Sequence, residues 1–205
     1  MLEVLTGSGL AVAAGLNAYI PLLILGLAGR VFDFVALPAG WAWLENPWVL
    51  AVLGVLLVVE IVADKVPVVD SVNDWIQSVV RPAAGGIAFG TGAASETAVV
   101  TDPASFFTSN AWVPVAIGVV LAFGTHATKM LARPALNAAT AGAAAPVVSA
   151  AEDLSSVLLS VMALLVPVIG FVALLALIAL VVLRIRRARR LRRLRRLRRS
   201  RPARQ

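Results

Sequence analysis

The chain of 205 residues is 60% hydrophobic with a mean hydropathy of +0.91, far from the balance of a water-soluble domain. Its net charge of +7 does not describe its body: 13 of the 18 basic residues are arginines within 184–204, and the other five face all 11 acidic residues. With no cysteine, disulfide scaffolds, thiolate metal sites and cysteine nucleophiles are excluded.

The first apolar segment, residues 5–29, holds Asn17, Tyr19 and Pro21. Glu3 and no basic residue precedes it, a poor secretory signal, so it reads as a retained transmembrane helix. Residues 48–65 are rich in Val and Leu, with Glu60 inside and Asp64-Lys65 at the end. Residues 82–98 begin uncharged and glycine-rich, residues 112–132 stay apolar until His126 and Lys129, and residues 134–151 are mostly alanine, broken by Pro146. The uncharged run 157–183 makes a helix about 40 Å long, enough to cross a hydrocarbon core of about 30 Å with tilt. The expected fold is an all-α polytopic membrane protein: six transmembrane helices over residues 1–183, then a polybasic cytoplasmic tail over 184–205.

Charge placement orients these spans. With the N-terminus in the cytoplasm, the inner connections hold Lys65, Arg81, Lys129, Arg133 and the tail. The outer ones hold Arg30 with Asp33, Glu45, Glu96, Asp102, Glu152 and Asp153. Both termini are therefore expected inside, under the positive-inside rule. Trp41, Trp43, Trp48 and Trp112 fall near outer ends, where an aromatic belt is expected.

The chain also repeats itself. Trp48-Val49, Gly54-Val55, Leu57, Ala63 and Lys65 match Trp112-Val113, Gly118-Val119, Leu121, Ala127 and Lys129 at one constant offset. Arg81-Pro82-Ala83 then matches Arg133-Pro134-Ala135 at a shorter one, so the first copy carries an insertion within 66–80. A duplicated helical hairpin, spans two and three and then four and five, is the reading. In the insertion, Asp70, Asn73, Asp74 and Gln77 share one helical face and Val72, Trp75, Ile76 and Val79 another. This predicts a short amphipathic helix at the cytoplasmic surface, whose polar face is either solvated or a gate or ligand surface together with Arg81.

Three patterns together resemble a bacterial integral membrane family, the domain of unknown function DUF4126. They are Gly15-Leu16-Asn17-Ala18-Tyr19-x-Pro21, the stretch Asp64-Lys65-x-Pro67-x-x-Asp70-x-x-Asn73-Asp74-x-x-Gln77 with Arg81-Pro82-Ala83-Gly85, and residues 126–137. The resemblance covers about residues 5–180 and leaves the arginine tail as an addition. It implies a small polytopic inner-membrane protein and transfers no catalytic residue.

Charges within spans are costly and mark ion or substrate paths or structural ion pairs. Glu60 and Asp64, with Lys65 beside them, form an acidic stripe on span two, and His126, Lys129 and Arg133 a basic stripe on span four. Facing each other, they would form either a transport site or an ion-pair seam. A single histidine without cysteine is poor metal evidence, so neither metal nor cofactor is expected. Asn17 and Asn137 can add neutral polar contacts. Arg81 and Arg133 each precede a proline that would open a helix, where a positive N-terminus can attract an anion. Segments 82–95 and 134–151, short or interrupted and in matching positions, fit a transporter's central site, while Gly86-x-x-x-Gly90 and Ala139-x-x-x-Ala143 fit close helix packing and leave an oligomer open.

Arg184, Arg186, Arg187, Arg189 and Arg190 open the tail, whose expected partner is anionic lipid of the inner leaflet. Nucleic acid has no motif or aromatic support. Two functional classes follow: a small transporter or channel-like protein for a small ion, anion or lipid headgroup, and a non-transporting scaffold with a structural ion-pair seam. No nucleophile–base constellation points to an enzyme.

Overall fold

The computed structural model describes residues 2–32, 35–65, 67–92, 110, 112–165, 175–176, 178–180, 182, 184 and 186–187, with the side chains of all but 2, 67, 68, 70 and 71. Every regular element among them is helical. In chain order these are α1 (Leu2–Leu16), α2 (Tyr19–Val31), a short 3₁₀ helix (Ala39–Glu45), α3 (Pro47–Ala63), α4 (Pro67–Gly92), α5 (Trp112–Thr140) and α6 (Ala145–Leu165). The described positions from 175 to 187 are also helical.

The burial pattern is inverted relative to a water-soluble bundle. Glu60 is the buried residue of α3, whereas Val52, Val55, Val58, Val59 and Val62 are exposed. On α4 the polar face is turned inward, with Asp74 6% exposed, while Trp75 on the apolar face is 75% exposed. Lipid accepts such apolar exteriors at no cost, and water does not. Two described helices, α5 and α6, are long and apolar enough to cross a bilayer, and a third crossing arises if the 3₁₀ helix and α3, bent by 65°, count as one.

Segment 5–29 is not one helix. A proline ring clashes with the carbonyl four residues back, which for Pro21 is that of Asn17. The chain breaks there, and α2 starts afresh at Tyr19. The two halves then diverge from this break toward the same end of the bundle. Gly7 on α1 packs against Phe89, and Gly15 against Ala122 and Thr125. Tyr19 meets Gln77, while Gly29 reaches Glu45, and Trp41 lies against Gly90. Thus α1 and α2 form a V whose tip points into the molecule and whose open end lies with Trp48 and Trp112. At about 22 and 20 Å, neither arm crosses a bilayer core alone. Residues 7–15 are buried throughout, between α4, α5 and α6. Helix ends at membrane depth are tolerated only when wrapped in protein in this way.

Four further boundaries differ from the sequence reading. The insertion 66–80 does not form a separate surface helix; residues 67–92 are one helix passing through Pro82. Pro134 likewise lies inside α5, so Arg81 and Arg133 stand in helix interiors and not before helix N-termini. Segment 134–151 is divided between the end of α5 and the start of α6 by a turn at 141–144, where Ala141 and Gly142 take φ of 50° and 85°. Glu152-Asp153 is not a connection: both residues sit within α6.

Candidate functional site

The tip of the V and the charged stripes meet in one buried network. Arg81, on α4, is fully buried and at its centre. Its Nη2 donates to Glu60 Oε1 at 2.7 Å and lies 3.7 Å from Asp64 Oδ2. Its Nη1 donates to the Gly15 carbonyl at 3.3 Å and reaches His126 Nδ1 at 3.4 Å. One guanidinium therefore ties α3, α1 and α5 together, which its fixed fork of donors makes possible.

Asp64, at the end of α3, is the second node. It accepts from Lys129 Nζ at 3.1 Å and Arg133 Nη2 at 3.3 Å, and its Oδ1 accepts from Asn73 Nδ2 at 2.7 Å. Lys129 and Arg133 also reach Glu152 Oε2 on α6, at 2.9 and 2.7 Å. The acidic stripe of α3 thus faces the basic stripe of α5, with Glu152 closing the far side. Glu60, Asp64, Arg81, Lys129 and Arg133 are all buried, so the pairs are shielded from the screening that weakens surface salt bridges.

The break in the first hairpin is satisfied from within the same network. Asn17 Oδ1 accepts from the backbone N–H of Tyr19 and Ile20, at 3.0 and 3.2 Å, and so caps α2. Its Nδ2 donates to Asp153 at 2.9 Å. On the other arm, Ser156 Oγ donates to the Ala13 carbonyl at 2.9 Å. Orphan backbone groups of the two helix ends are thus taken up by Asn17 and Arg81, and Ser156 adds a second bond to the Ala13 carbonyl, which already accepts from Asn17 N.

His126 is fully buried. Its Nε2 lies 3.2 Å from the Asp74 carbonyl, which only accepts, so the proton sits on Nε2. Nδ1 then accepts from Arg81, which only donates. Both ring nitrogens are engaged, and among the described residues no group of three or more His, Cys, Asp or Glu is placed to hold a metal ion.

Not every expected residue joins. Lys65 is exposed and its Nζ donates to its own helix at Ile61. Asn137 lies at the end of α5, where its carbonyl accepts from Gly142 N at 2.9 Å, away from the network. The side chain of Asp70 lies outside the described residues. Arg184, Arg186 and Arg187 are exposed helical positions, and Arg189 and Arg190 lie outside the description. Glu152, Asp153, Tyr19 and Ser156 are members that sequence reasoning missed. Their signal was present in α6: Ser149, Glu152, Ser156 and Ser160 recur at helical spacing in an apolar helix, and the three serines are buried.

A cavity of about 350 Å³ adjoins the network. Leu16, Leu121, Thr125 and Val182 form part of its wall, and Lys129 and Glu152 also line it. Small-molecule sites begin near this volume.

Long apolar helices, an outward-facing apolar surface and charges gathered inside are the pattern of a helical membrane protein. The DUF4126 family profile, a domain of unknown function, matches residues 4–187, and the chain belongs to that family. No curated protein matches the chain, and no solved structure does.

Proposed function

We propose that this chain is a small transporter or channel-like protein of the bacterial inner membrane, moving a small ion or anion past the tip of the α1–α2 hairpin. The observation that carries this reading is the interrupted helix at Asn17, whose two ends meet a charged network inside the bundle. Discontinuous helices with ends pointing at a central polar site are the recurring device of membrane transporters. The adjoining cavity lined by Lys129 and Glu152 supports the same reading. Against it stands the scaffold, favoured by the dryness of the ion pairs, in which the network only fixes helix register.

Flux in proteoliposomes across a panel of small ions and organic anions separates the two. Asn17→Ala removes a cap worth about 1 kcal/mol and also the amide that Asp153 accepts from; flux is expected to fall in protein whose thermal midpoint, measured beside it, shows that the fold is kept. Absence of flux for every solute in the wild type would leave the scaffold.

The topology proposed with it revises the sequence reading. The α1–α2 hairpin enters and leaves on the outer side, α3 to α6 cross alternately, and the segment that carries the helical positions from 175 to 187 returns to the cytoplasm. This places the N-terminus outside and the arginine tail inside, against anionic lipid. Of the duplicated hairpin, the first halves remain comparable: α3 and α5 each carry a tryptophan in their first turn, Trp48 and Trp112, and bring charged residues into one network. Single cysteines at Glu3 and Ser200 test the orientation in right-side-out vesicles. Position 3 is expected to react with an impermeant external reagent and position 200 only after permeabilisation; protection of position 3 would restore the full crossing by residues 5–29.

A further inference from the structure

We propose that Asp74 is a proton-binding site, and that the proton it carries is the coupling ion of the transport reading above, on which the second clause rests. The centre holds five carboxylates, the buried Glu60, Asp64 and Asp74 and the part-buried Glu152 and Asp153, against three buried cations, Arg81, Lys129 and Arg133. Arg81 serves Glu60, while Lys129 and Arg133 serve both Asp64 and Glu152. Asp153 has the amide of Asn17. Asp74 has neither: Oδ1 is buried with no hydrogen-bond partner, and among the described residues no cation stands within salt-bridge distance of the carboxyl.

An isolated ionised carboxylate in a dry interior is among the most costly groups a fold can hold, and it neutralises instead. Lys129 and Arg81 ease that cost only from beyond salt-bridge distance, and both are engaged elsewhere. From α5, His126 binds the Asp74 backbone carbonyl and leaves the carboxyl alone, and Lys129 is committed to Asp64 and Glu152. Asp64 and Glu152 themselves oppose a further negative charge, and Arg81 on the same helix is held by Glu60. On α4, Gln77 Oε1 is a second buried acceptor without a partner, and Ser78 Oγ donates to the Asp74 backbone carbonyl. A proton on Asp74 converts it from an unpaired charge into a neutral donor. With Asp74 protonated the centre carries one surplus negative charge, and loss of that proton makes it two, so uptake and release are accompanied by rearrangement around the Asp74–His126 contact between α4 and α5.

Infrared difference spectroscopy of the full chain in lipid nanodiscs tests the site without reference to flux. At neutral pH in buffer free of sodium and potassium, wild type minus Asp74→Asn is expected to show one protonated-carboxyl C=O band that shifts in D₂O. The variant is expected to keep the thermal midpoint of the wild type, since the amide is a neutral isostere. The same band is expected when sodium or potassium is added. A spectrum in which the band is absent, or is lost on adding either ion, overturns the proton site in favour of a carboxylate or a metal-cation site. Where the liposomes show flux, Asp74→Asn is expected to abolish its dependence on the proton gradient; retained dependence overturns the coupling role. Absence of all flux would sink the transport reading while leaving the infrared result to decide the site alone.

Discussion

Replacing Arg81 with methionine is expected to cost about 3–5 kcal/mol, the loss that follows when one member of a buried pair is removed and the other stays charged. Glu60 would be left as a carboxylate 1% exposed, and the Gly15 carbonyl and His126 Nδ1 would each lose a donor. Removing the charge on both sides, with Glu60→Leu and Arg81→Met together, is expected to recover most of the loss, because an apolar pair of similar volume is often neutral or stabilising. Glu60→Gln combined with Lys129→Gln is expected to recover little. Glu60 is paired to Arg81, whereas Lys129 is paired to Asp64 and Glu152. Unfolding in mixed micelles by a denaturing detergent gives the stabilities of the single and double variants against the wild type. Strict additivity of the Glu60 and Arg81 losses would show that the two do not interact.

The second large effect is expected where α4 and α5 cross. A Cβ at Gly85 would run into Ala122 Cβ and lie 2.8 Å from the Gly118 carbonyl; one at Gly118 would strike the Gly85 carbonyl. These obstacles are largely backbone, which cannot swing away. Overpacking costs about 1–3 kcal/mol and occasionally more, and Gly85→Val or Gly118→Val should lie at the top of that range. Both would also part His126 from Asp74, which span the same two helices. Gly124 is the control: nothing stands within 4 Å of its missing Cβ. Gly124→Ala is expected to be neutral or to gain up to about 1 kcal/mol from helix propensity. Equal losses at Gly85 and Gly124 in the same detergent titration would remove the close approach as the cause.

The facing of acidic and basic stripes was legible because each lies on one helix, where i, i+3 and i+4 spacing defines a face. That Arg81 is the partner of Glu60 was not, since the pairing depends on how α3 folds back on α4. The hairpin tip was hidden by hydropathy. Residues 5–29 are apolar enough to average out Asn17, although Pro21 marks the break by its clash four residues back. Pro82 and Pro134 misled in the opposite direction: each looked like a helix opener and each is carried inside a helix. Membrane helices tolerate this because neighbouring groups take up the freed carbonyl. Two adjacent acids, Glu152 and Asp153, read as a loop in an apolar chain, yet they lie part-buried on a helix, paired with Lys129, Arg133 and Asn17.

The order of the charges along the chain has a consequence for synthesis. Glu60 and Asp64 leave the ribosome first, at the end of α3, and Arg81 follows on the next helix of the same hairpin. Either helix alone presents the insertion machinery with charges that resist entry into lipid. Delivered as a pair joined at Asp64-Lys65, they arrive with Glu60 and Arg81 already neutralising one another. Lys129 and Arg133 then find Asp64 waiting, and Glu152, the last acid of the network, emerges only after them. Each cation of the network is thus made when an anion is in place to receive it, so the α3–α4 hairpin serves as the primer on which the rest of the bundle is inserted.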